Sequence, residues 1–189
     1  MRYCQIYGSG SEIAMGLGTR LRSDNWNVEM VPGRESSVPV ARWNLLILAH
    51  GSLEPIGKFF EVSEISWRAG VLVNGLYPLR MLRLAWPQRL PDATVVFISG
   101  PNMTKDSPTY TAYRAGKAIL ESLVGSLNAE YPDTKFRMLR PGVVNTKIHA
   151  QTISAGKRAA NHDAVVKIVR GEVPTVSHDE VYEKLKSLI

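Results

Sequence analysis

The chain has 189 residues, 44% of them hydrophobic, with a formal net charge of +6 and a pI of about 9.5. This length and composition predict a single globular domain over residues 1–189, and the only cysteine, Cys4, excludes a disulfide framework and a cysteine metal site. The basic residues are scattered and not interleaved with aromatic residues, which argues against a nucleic-acid partner and favours anionic small molecules.

The cellular compartment of the protein is predicted from its N-terminus, its most apolar segment and its single cysteine. Met1 leads directly into a strand-like segment and not into the long apolar stretch of a signal peptide. Residues 69–86 are interrupted by Asn74 and two arginines, which makes this segment too polar to span a bilayer. A lone cysteine suits a reducing compartment. We therefore expect a cytoplasmic protein with no membrane partner and no metal.

The first predicted elements are a strand over Arg2–Tyr7 and a helix that continues through Leu21. The glycine-bearing turn between them presents backbone N–H groups and a helix N-terminus to a phosphate. This turn supplies the first candidate cofactor-binding residues: Gly8, Ser9, Gly10, Ser11, Glu12 and Ile13. In a G-x-x-x-G-x-G pattern that begins at Gly8, Glu12 and Ala14 stand where glycines are expected, and Glu12 adds negative charge. An ordinary tight turn is the alternative.

The second predicted strand, residues 25–31, is followed by Arg34. In a dinucleotide-binding fold the residue at this place meets the adenine ribose, and an arginine suits the 2′-phosphate of NADP. A solvated loop arginine is the alternative. The connection from Arg34 to the next strand, residues 43–49, is shorter than the roughly dozen residues that a crossover helix needs. Three further cofactor candidates close that strand: Ala49, His50 and Gly51. A solvated His50 is the alternative.

A long helix is predicted over residues 61–86, with apolar residues on most of its surface. Such a helix is buried or packs against a partner. Asn74 lies at its apolar centre, where an amide is costly unless it is bonded. It is either a satisfied structural group or the holder of an ordered water. Pro78 predicts a kink or a distorted turn nearby.

The remaining segments continue the alternation of strands and helices. Apolar runs predict strands over residues 93–99 and 135–139, and a helix that begins near Tyr113 lies between them. The tail predicts three elements: a helix over 163–170, an extended segment over 173–176 and a helix over 178–189. Together these elements favour an α/β fold with a doubly wound parallel sheet.

Tyr113 and Lys117 form the pair with the clearest chemical use. Residues four apart lie on one face of a helix, so the phenol and the ammonium would project side by side. A nearby cation favours the phenolate and lowers the pKa of a phenol from its usual value of about 10. A tyrosine tuned in this way can exchange a proton with a carbonyl or alcohol oxygen while hydride moves at carbon.

In the order of these motifs the chain resembles the short-chain dehydrogenase/reductase family, whose members have a Rossmann fold and use nicotinamide cofactors. Tyr113-x-x-x-Lys117 is similar to the catalytic Tyr and Lys of the family, and Asn74 falls where the catalytic Asn of the family stands. The glycine turn and the Ala49-His50-Gly51 segment also occupy the expected places. The family signature P-G-x-V-x-T is matched by four residues: Pro141, Gly142, Val144 and Thr146.

The resemblance implies a role for each of the matching residues. Tyr113 would be the general acid/base, and Lys117 would lower its pKa and bond the nicotinamide ribose. Asn74 would hold a water in a proton relay behind Lys117. Thr146 would bond the carboxamide or the phosphate of the cofactor.

The chain departs from the family in three ways. Gly100 occupies the usual place of the catalytic serine, and Ser99, one residue earlier, is the candidate replacement, with Thr104 and Ser107 as looser ones. Strand alternation would turn Ser99 to the other face of the sheet. The asparagines of the family motif near His50 are replaced. The third strand of the family, its crossover helix and the acidic residue that contacts adenine are missing, which predicts a shortened fold.

The resemblance implies an oxidoreductase that uses NADP(H) in preference to NAD(H) and acts on a small-molecule carbonyl or alcohol. The alternative is a non-catalytic cofactor-binding or interaction protein on the same scaffold, favoured by Gly100 and the eroded glycine turn. Family members pair through two long helices, here residues 61–86 and 113–130, so a homodimer or homotetramer is expected. Residues 148–161 are the expected lid, which sets the substrate.

Overall fold

The computed structural model describes residues 1–32, 41–100 and 106–189. Arg34 and Thr104, two residues with predicted roles, lie outside these ranges. The strands are β1 Arg2–Tyr7, β2 Trp26–Val31, β3 Trp43–Leu48, β4 Arg89–Ile98 and β5 Lys135–Leu139. The helices are α1 Glu12–Ser23, α2 Glu64–Val71, α3 Tyr77–Ala85, α4 Thr111–Glu130, α5 His149–Ala155, α6 His162–Val169 and α7 His178–Lys186.

All five strands run parallel in one sheet of order β2-β1-β3-β4-β5. The predicted doubly wound α/β sheet is confirmed. In the part of the chain that the structure describes, β2 is an edge strand with no further strand outside it, in agreement with the predicted loss of a third strand. The carboxyl ends of parallel strands share one edge of the sheet, and this edge is where ligands bind in open α/β folds.

The sheet is buried on both faces because successive strand residues point to opposite sides. In β3, Leu45 and Ile47 pack against one layer, while Leu46 and Leu48 pack against the other. The first layer is formed by α1 and α7, and the second by α3 and α4. Apolar residues on both faces explain why the strands read as continuous hydrophobic runs in the sequence.

The predicted long helix begins later than expected and is interrupted. It starts at Glu64 because the Ser63 hydroxyl accepts a hydrogen bond from the Ser66 N–H at 3.2 Å. A π-helical turn over Leu72–Leu76 separates α2 from α3. Pro78 lies in the first turn of α3, directly after the π-helical turn, so the predicted distortion near this proline is confirmed. Within the described ranges, no helix is long and apolar enough to cross a membrane.

The region after β5 contains a helix that the sequence did not reveal. α5 lies inside the predicted lid, residues 148–161. The predicted extended segment at 173–176 is joined to the core by the Val176 N–H, which donates to the Val143 carbonyl at 2.8 Å. α7 begins with a capping box made by Ser177 and Glu180. Its apolar face joins α1 in one core cluster.

Candidate active site

A cleft of about 840 Å³ lies at the carboxyl ends of the strands. Three predicted catalytic residues line it: Ser99, Tyr113 and Lys117. Most of the predicted cofactor residues also line it: Gly8, Gly10, Ser11, Glu12, Ile13, Ala49, His50, Gly51, Pro141, Gly142, Val144 and Thr146. Ser9 and Asn74 are not among the lining residues. Residues distant in sequence therefore converge on the site that the motifs predict.

The turn after β1 brings the backbone of two strand ends very close together. Gly8 has a φ of +86°, and a Cβ there would lie 2.9 Å from the carbonyl carbon of Ala49. The N–H groups of Gly8 and Ser9 both donate to the Val31 carbonyl, at 3.0 and 3.2 Å. The Ser9 N–H is therefore already used within the fold. Gly10 is different, because a Cβ at this position would meet no atom within 4 Å.

Lys117 is fixed in the floor of the cleft by the ends of two strands. Its side chain is buried, with the residue 2% exposed, and its Nζ donates to the carbonyls of His50 and Ile98, each at 2.7 Å. The Nζ lies 5.9 Å from the centroid of the Tyr113 ring. The side chains of Tyr113 and Lys117 are therefore close together on α4, as expected. The two hydrogen bonds described for the ammonium go to backbone carbonyls and not to the phenol.

The expected lowering of the Tyr113 pKa is wrong for this structure. Burial, with a smaller contribution from the charge of Glu121, raises the pKa of Tyr113 to about 12. Burial also lowers the pKa of Lys117 to about 7. Lys117 therefore loses part of its positive charge near neutral pH, which weakens the stabilisation that a cation would give to a phenolate.

The side-chain amide of Asn74 is fully hydrogen-bonded within the protein, which agrees with the first of its two predicted roles, a structural polar group. Its Nδ2 donates to the carbonyls of Ser52 and Gly70 at 2.8 Å each, and its Oδ1 accepts from the Ser52 N–H at 3.0 Å. The amide thus ties the π-helical turn to the loop that follows β3. That loop also carries the His50 carbonyl to which Lys117 is bound. Asn74 and Lys117 are therefore bonded to the same loop, two residues apart, at Ser52 and His50.

Ser99 lines the same cleft as Tyr113, but its hydroxyl is bonded to another residue of α4. Its hydroxyl donates to the Glu121 carboxylate at 2.6 Å, and Arg140 pairs with the same oxygen at 3.1 Å. Among the residues that the structure describes, none makes a hydrogen bond to the Tyr113 phenol. The Ser99 hydroxyl is thus engaged by Glu121 of α4, and its role as the substitute catalytic hydroxyl remains a prediction.

His50 is buried rather than solvated, so the solvated alternative is wrong. The residue is 6% exposed and lines the cleft. Its backbone carbonyl is one of the two that hold Lys117. The cofactor-side alternative is therefore the one that agrees with its place at the end of β3.

The segment after β5 forms the opposite wall of the cleft. Gly142 has a φ of +89°, and a Cβ there would lie 2.7 Å from Cγ2 of Val176, so a side chain at this position would be strained. The Val144 carbonyl is bonded to Nε2 of His149 at 3.1 Å. Thr146 lines the cleft, and its carbonyl accepts from the His149 N–H at 3.1 Å. These two hydrogen bonds connect the segment after β5 to His149, the first residue of α5.

Several lining residues were missed by sequence reasoning because they belong to no spaced motif. The Tyr110 hydroxyl bonds with Thr152 at 3.0 Å and donates to the Asn161 amide oxygen. The Gln151 amide oxygen accepts from the Leu53 N–H at 2.7 Å. These contacts join the predicted lid to the start of α4 and to the loop after β3. Gln151, Thr152 and Asn161 lie inside the predicted lid, residues 148–161, but the sequence did not single them out.

Comparison with known proteins establishes the family. The family model described as short chain dehydrogenase matches residues 39–156, which is more than half of the chain. The chain belongs to the short-chain dehydrogenase family. An uncharacterised oxidoreductase of Schizosaccharomyces pombe is 33% identical over 102 residues, which are 53% of this chain and 41% of that protein. The chain thus matches less than half of the length of this relative.

Solved structures of other short-chain dehydrogenases share the fold. The ligand-free aldohexose dehydrogenase of Thermoplasma acidophilum superposes with a TM-score of 0.82 at 15% identity, covering 99% of this chain and 86% of that one. A small-chain dehydrogenase in complex with NADPH superposes with a TM-score of 0.80 at 15% identity, covering 98% and 90%. At this identity the likeness shows the fold alone.

Proposed function

We propose that the chain is an NAD(P)-dependent oxidoreductase that interconverts a carbonyl compound and an alcohol, with Tyr113 as the proton-exchanging group. The observation that carries the proposal is the placement of Tyr113 and Lys117 in one cleft with the glycine turn and the 141–146 segment. Membership of the short-chain dehydrogenase family supports the reaction class.

The residues of the cleft fit a nicotinamide cofactor. Its volume of about 840 Å³ lies within the range of roughly 300–1,000 Å³ that is usual for ligand sites. The open space at Gly10 lets a ligand approach the backbone at the N-terminus of α1, where a phosphate is favoured. Val144 and Thr146 would hold the nicotinamide end, and Lys117 the ribose. A bound nicotinamide would supply or accept the hydride.

Tyr113 is better suited to donate a proton than to accept one. A phenol whose pKa is about 12 is ionised to only about one part in 100,000 at pH 7. The protonated phenol can donate to the oxygen of a carbonyl as that oxygen gains negative charge. We therefore propose that carbonyl reduction is the favoured direction near neutral pH.

The preference for NADP(H) over NAD(H) is also proposed. Arg34 follows β2 in the sequence, where an arginine suits a 2′-phosphate. The net charge of +6 favours the more negatively charged cofactor. One protein of similar fold is an NADPH complex.

The second candidate is a non-catalytic cofactor-binding or interaction protein on the same scaffold. Gly100 lacks the usual hydroxyl, and the neighbouring hydroxyl of Ser99 is bonded to Glu121. Under this alternative NADPH binds, or fails to bind, without any turnover. The two candidates therefore differ in whether the Tyr113 phenol affects a reaction.

The first experiment is a fluorescence titration of the folded protein with NADPH and with NADH, followed by a screen of aldehydes and ketones. We expect tighter binding of NADPH. Tyr113→Phe should lower turnover by roughly 10²- to 10⁴-fold while NADPH affinity and thermal stability stay unchanged. Tyr131→Phe is the matched control, because Tyr131 lies at the other end of α4 and packs on Trp86. Equal turnover in the wild type and Tyr113→Phe would refute the mechanism.

We also propose that the chain forms a homodimer or homotetramer. The face of α2 and the π-helical turn carries exposed apolar side chains, including Ile65 at 83% exposure, together with Leu72 and Leu76. Pairing of this helix and α4 with a second copy would remove these groups from water. Sedimentation of the purified protein would test this state, and a monomer at micromolar concentration would contradict it.

A further inference from the structure

Glu12 joins the two walls of the cleft. It is the first residue of α1, and its carboxylate accepts a hydrogen bond from the backbone N–H of Lys147. Both residues line the cleft, although they are 135 positions apart in the sequence. Lys147 belongs to the segment that leads from Thr146 into α5. The Glu12 side chain therefore connects the turn after β1 to the wall after β5.

The Glu12 carboxylate occupies a position with the chemistry of an anion site. The N-terminus of a helix carries a partial positive charge and stabilises negative groups. A backbone N–H that points into a cleft is the kind of donor that binds phosphate oxygens. The carboxylate of Glu12 lies at such a helix N-terminus and accepts such a backbone N–H, that of Lys147, so a side chain of the protein takes the place of a bound anion. A diphosphate placed between the same two walls would lose the Lys147 N–H and would meet a like charge.

We propose that Glu12 is a clasp across the cofactor cleft, and that the diphosphate of NAD(P)H displaces its carboxylate from Lys147 when it binds. The identity of this ligand rests on the proposed function. The clasp holds the cleft together before binding and lowers its affinity for the cofactor. Glu12 is in this sense a determinant of cofactor affinity and not a catalytic residue.

Release of the clasp does not detach the whole lid. Gln151 remains bonded to Leu53 at 2.7 Å, and Thr152 remains bonded to the Tyr110 hydroxyl at 3.0 Å. These contacts do not involve Glu12. Displacement of the carboxylate therefore frees the segment that begins at Lys147 while α5 stays anchored. The movement that the cofactor must cause is local.

The test uses two variants of Glu12 and one matched control. Glu12→Ala removes the charge and the contact, whereas Glu12→Gln removes the charge and keeps an acceptor for the Lys147 N–H. Glu64→Ala is the control, because Glu64 is also the first residue of a helix after a serine cap. It is exposed and pairs with Arg68 at 2.7 Å, far from the cleft lining.

Two measurements are made on the full chain. Nicotinamide fluorescence should show that Glu12→Ala and Glu12→Gln bind NADPH roughly tenfold more tightly than the wild type, as expected when a nearby like charge is removed. Without any ligand, hydrogen–deuterium exchange at the Lys147 amide should be faster in Glu12→Ala than in the wild type. Glu64→Ala should match the wild type in both measurements.

The outcomes separate this proposal from the proposed function. Unchanged or weaker NADPH binding by Glu12→Ala, with a wild type that binds, would overturn the clasp and leave the oxidoreductase intact. Binding by the variant alone would support both. Failure of both proteins to bind NADPH would overturn the proposed function. In that case hydrogen–deuterium exchange still tests the contact between Glu12 and Lys147. Faster exchange at the Lys147 amide in Glu12→Ala than in the wild type would support the contact, and equal exchange would rule it out.

Discussion

Lys117 gives the fold a pH dependence that can be measured without any ligand or substrate. Its ammonium is buried between α4 and the ends of β3 and β4, and this burial lowers its pKa from 10.5 to about 7. In the unfolded chain the same group returns to water and to its ordinary pKa. The variant Lys117→Met keeps a side chain of similar length and removes the titrating group.

The sign and size of the effect follow from the two pKa values. Above pH 7 the unfolded lysine holds a proton that the folded one has lost, so a rise in pH stabilises the folded state. The wild type should gain about 1.4 kcal/mol per pH unit over this window, and about 3 kcal/mol between pH 7 and pH 9.5, relative to Lys117→Met. Below about pH 6 both states are protonated, and the difference becomes constant.

The absolute stability of Lys117→Met contains a second contribution that does not depend on pH. The carbonyls of His50 and Ile98 lose their donor, which costs about 1–3 kcal/mol for each group that stays unsatisfied. The test is therefore the change of the difference with pH and not its value at one pH. This separation is what makes the variant informative.

Urea unfolding followed by tryptophan fluorescence at several pH values measures the difference. Lys184→Met is the matched control, because Lys184 also donates to a backbone carbonyl, that of Pro141 at 2.9 Å, but is exposed. Its difference from the wild type, measured at the same pH values, is the reference for losing a surface lysine that donates to a carbonyl. A flat difference for Lys117→Met would show that the buried ammonium does not titrate there, and the assignment of its pKa would be refuted.

Two other substitutions test the packing around the site. Gly116→Ala should destabilise the fold by several kcal/mol, because its Cβ would lie 2.5 Å from Cβ of Asn74. Gly125 lies in the same helix, but a Cβ there would meet nothing within 4 Å, so Gly125→Ala should stabilise the fold by about 0.5–1 kcal/mol. Equal melting temperatures for the two would contradict the close helix contact. Ser99→Ala should cost about 0.5–1.5 kcal/mol of stability, because Glu121 loses one hydrogen bond and keeps its pairing with Arg140. Turnover should fall by less than roughly tenfold. A larger loss of turnover with normal folding would mean that Ser99 reaches the reacting oxygen.

The convergence of the site could be predicted from the sequence because it depends on topology alone. A parallel sheet puts the ends of β1, β3 and β5 on one edge, so the motifs after these strands must meet once the strands are identified. The strands themselves were readable as apolar runs, and the bounds of β1 and β5 were predicted to the residue. No knowledge of side-chain packing was required.

The state of individual groups could not be predicted in the same way. The pKa of Tyr113 depends on its burial and on Glu121, and neither is encoded in the spacing of Tyr113 and Lys117. The bonds of Ser99 to Glu121 and of Tyr110 to Thr152 join distant parts of the chain without a periodic signal. α5 was missed because its seven residues make less than two full helical turns, which is too short for a helical pattern of apolar residues to be recognised.

The positions of these groups explain how a shortened sheet can keep the reacting half of the site. Lys117 is held by the ends of β3 and β4, and Asn74 fixes the loop after β3, so the supports of the proposed catalytic pair come from the centre of the sheet. Within the described residues no strand lies beyond β2, at the edge of the sheet opposite β5, where the resemblance to the family predicts a further strand. Under the proposed function, a sheet without this strand would lose contacts to the adenosine half of the cofactor and would keep Tyr113 and Lys117 in place. Cofactor affinity is therefore the property in which this chain should differ most from longer members of the family.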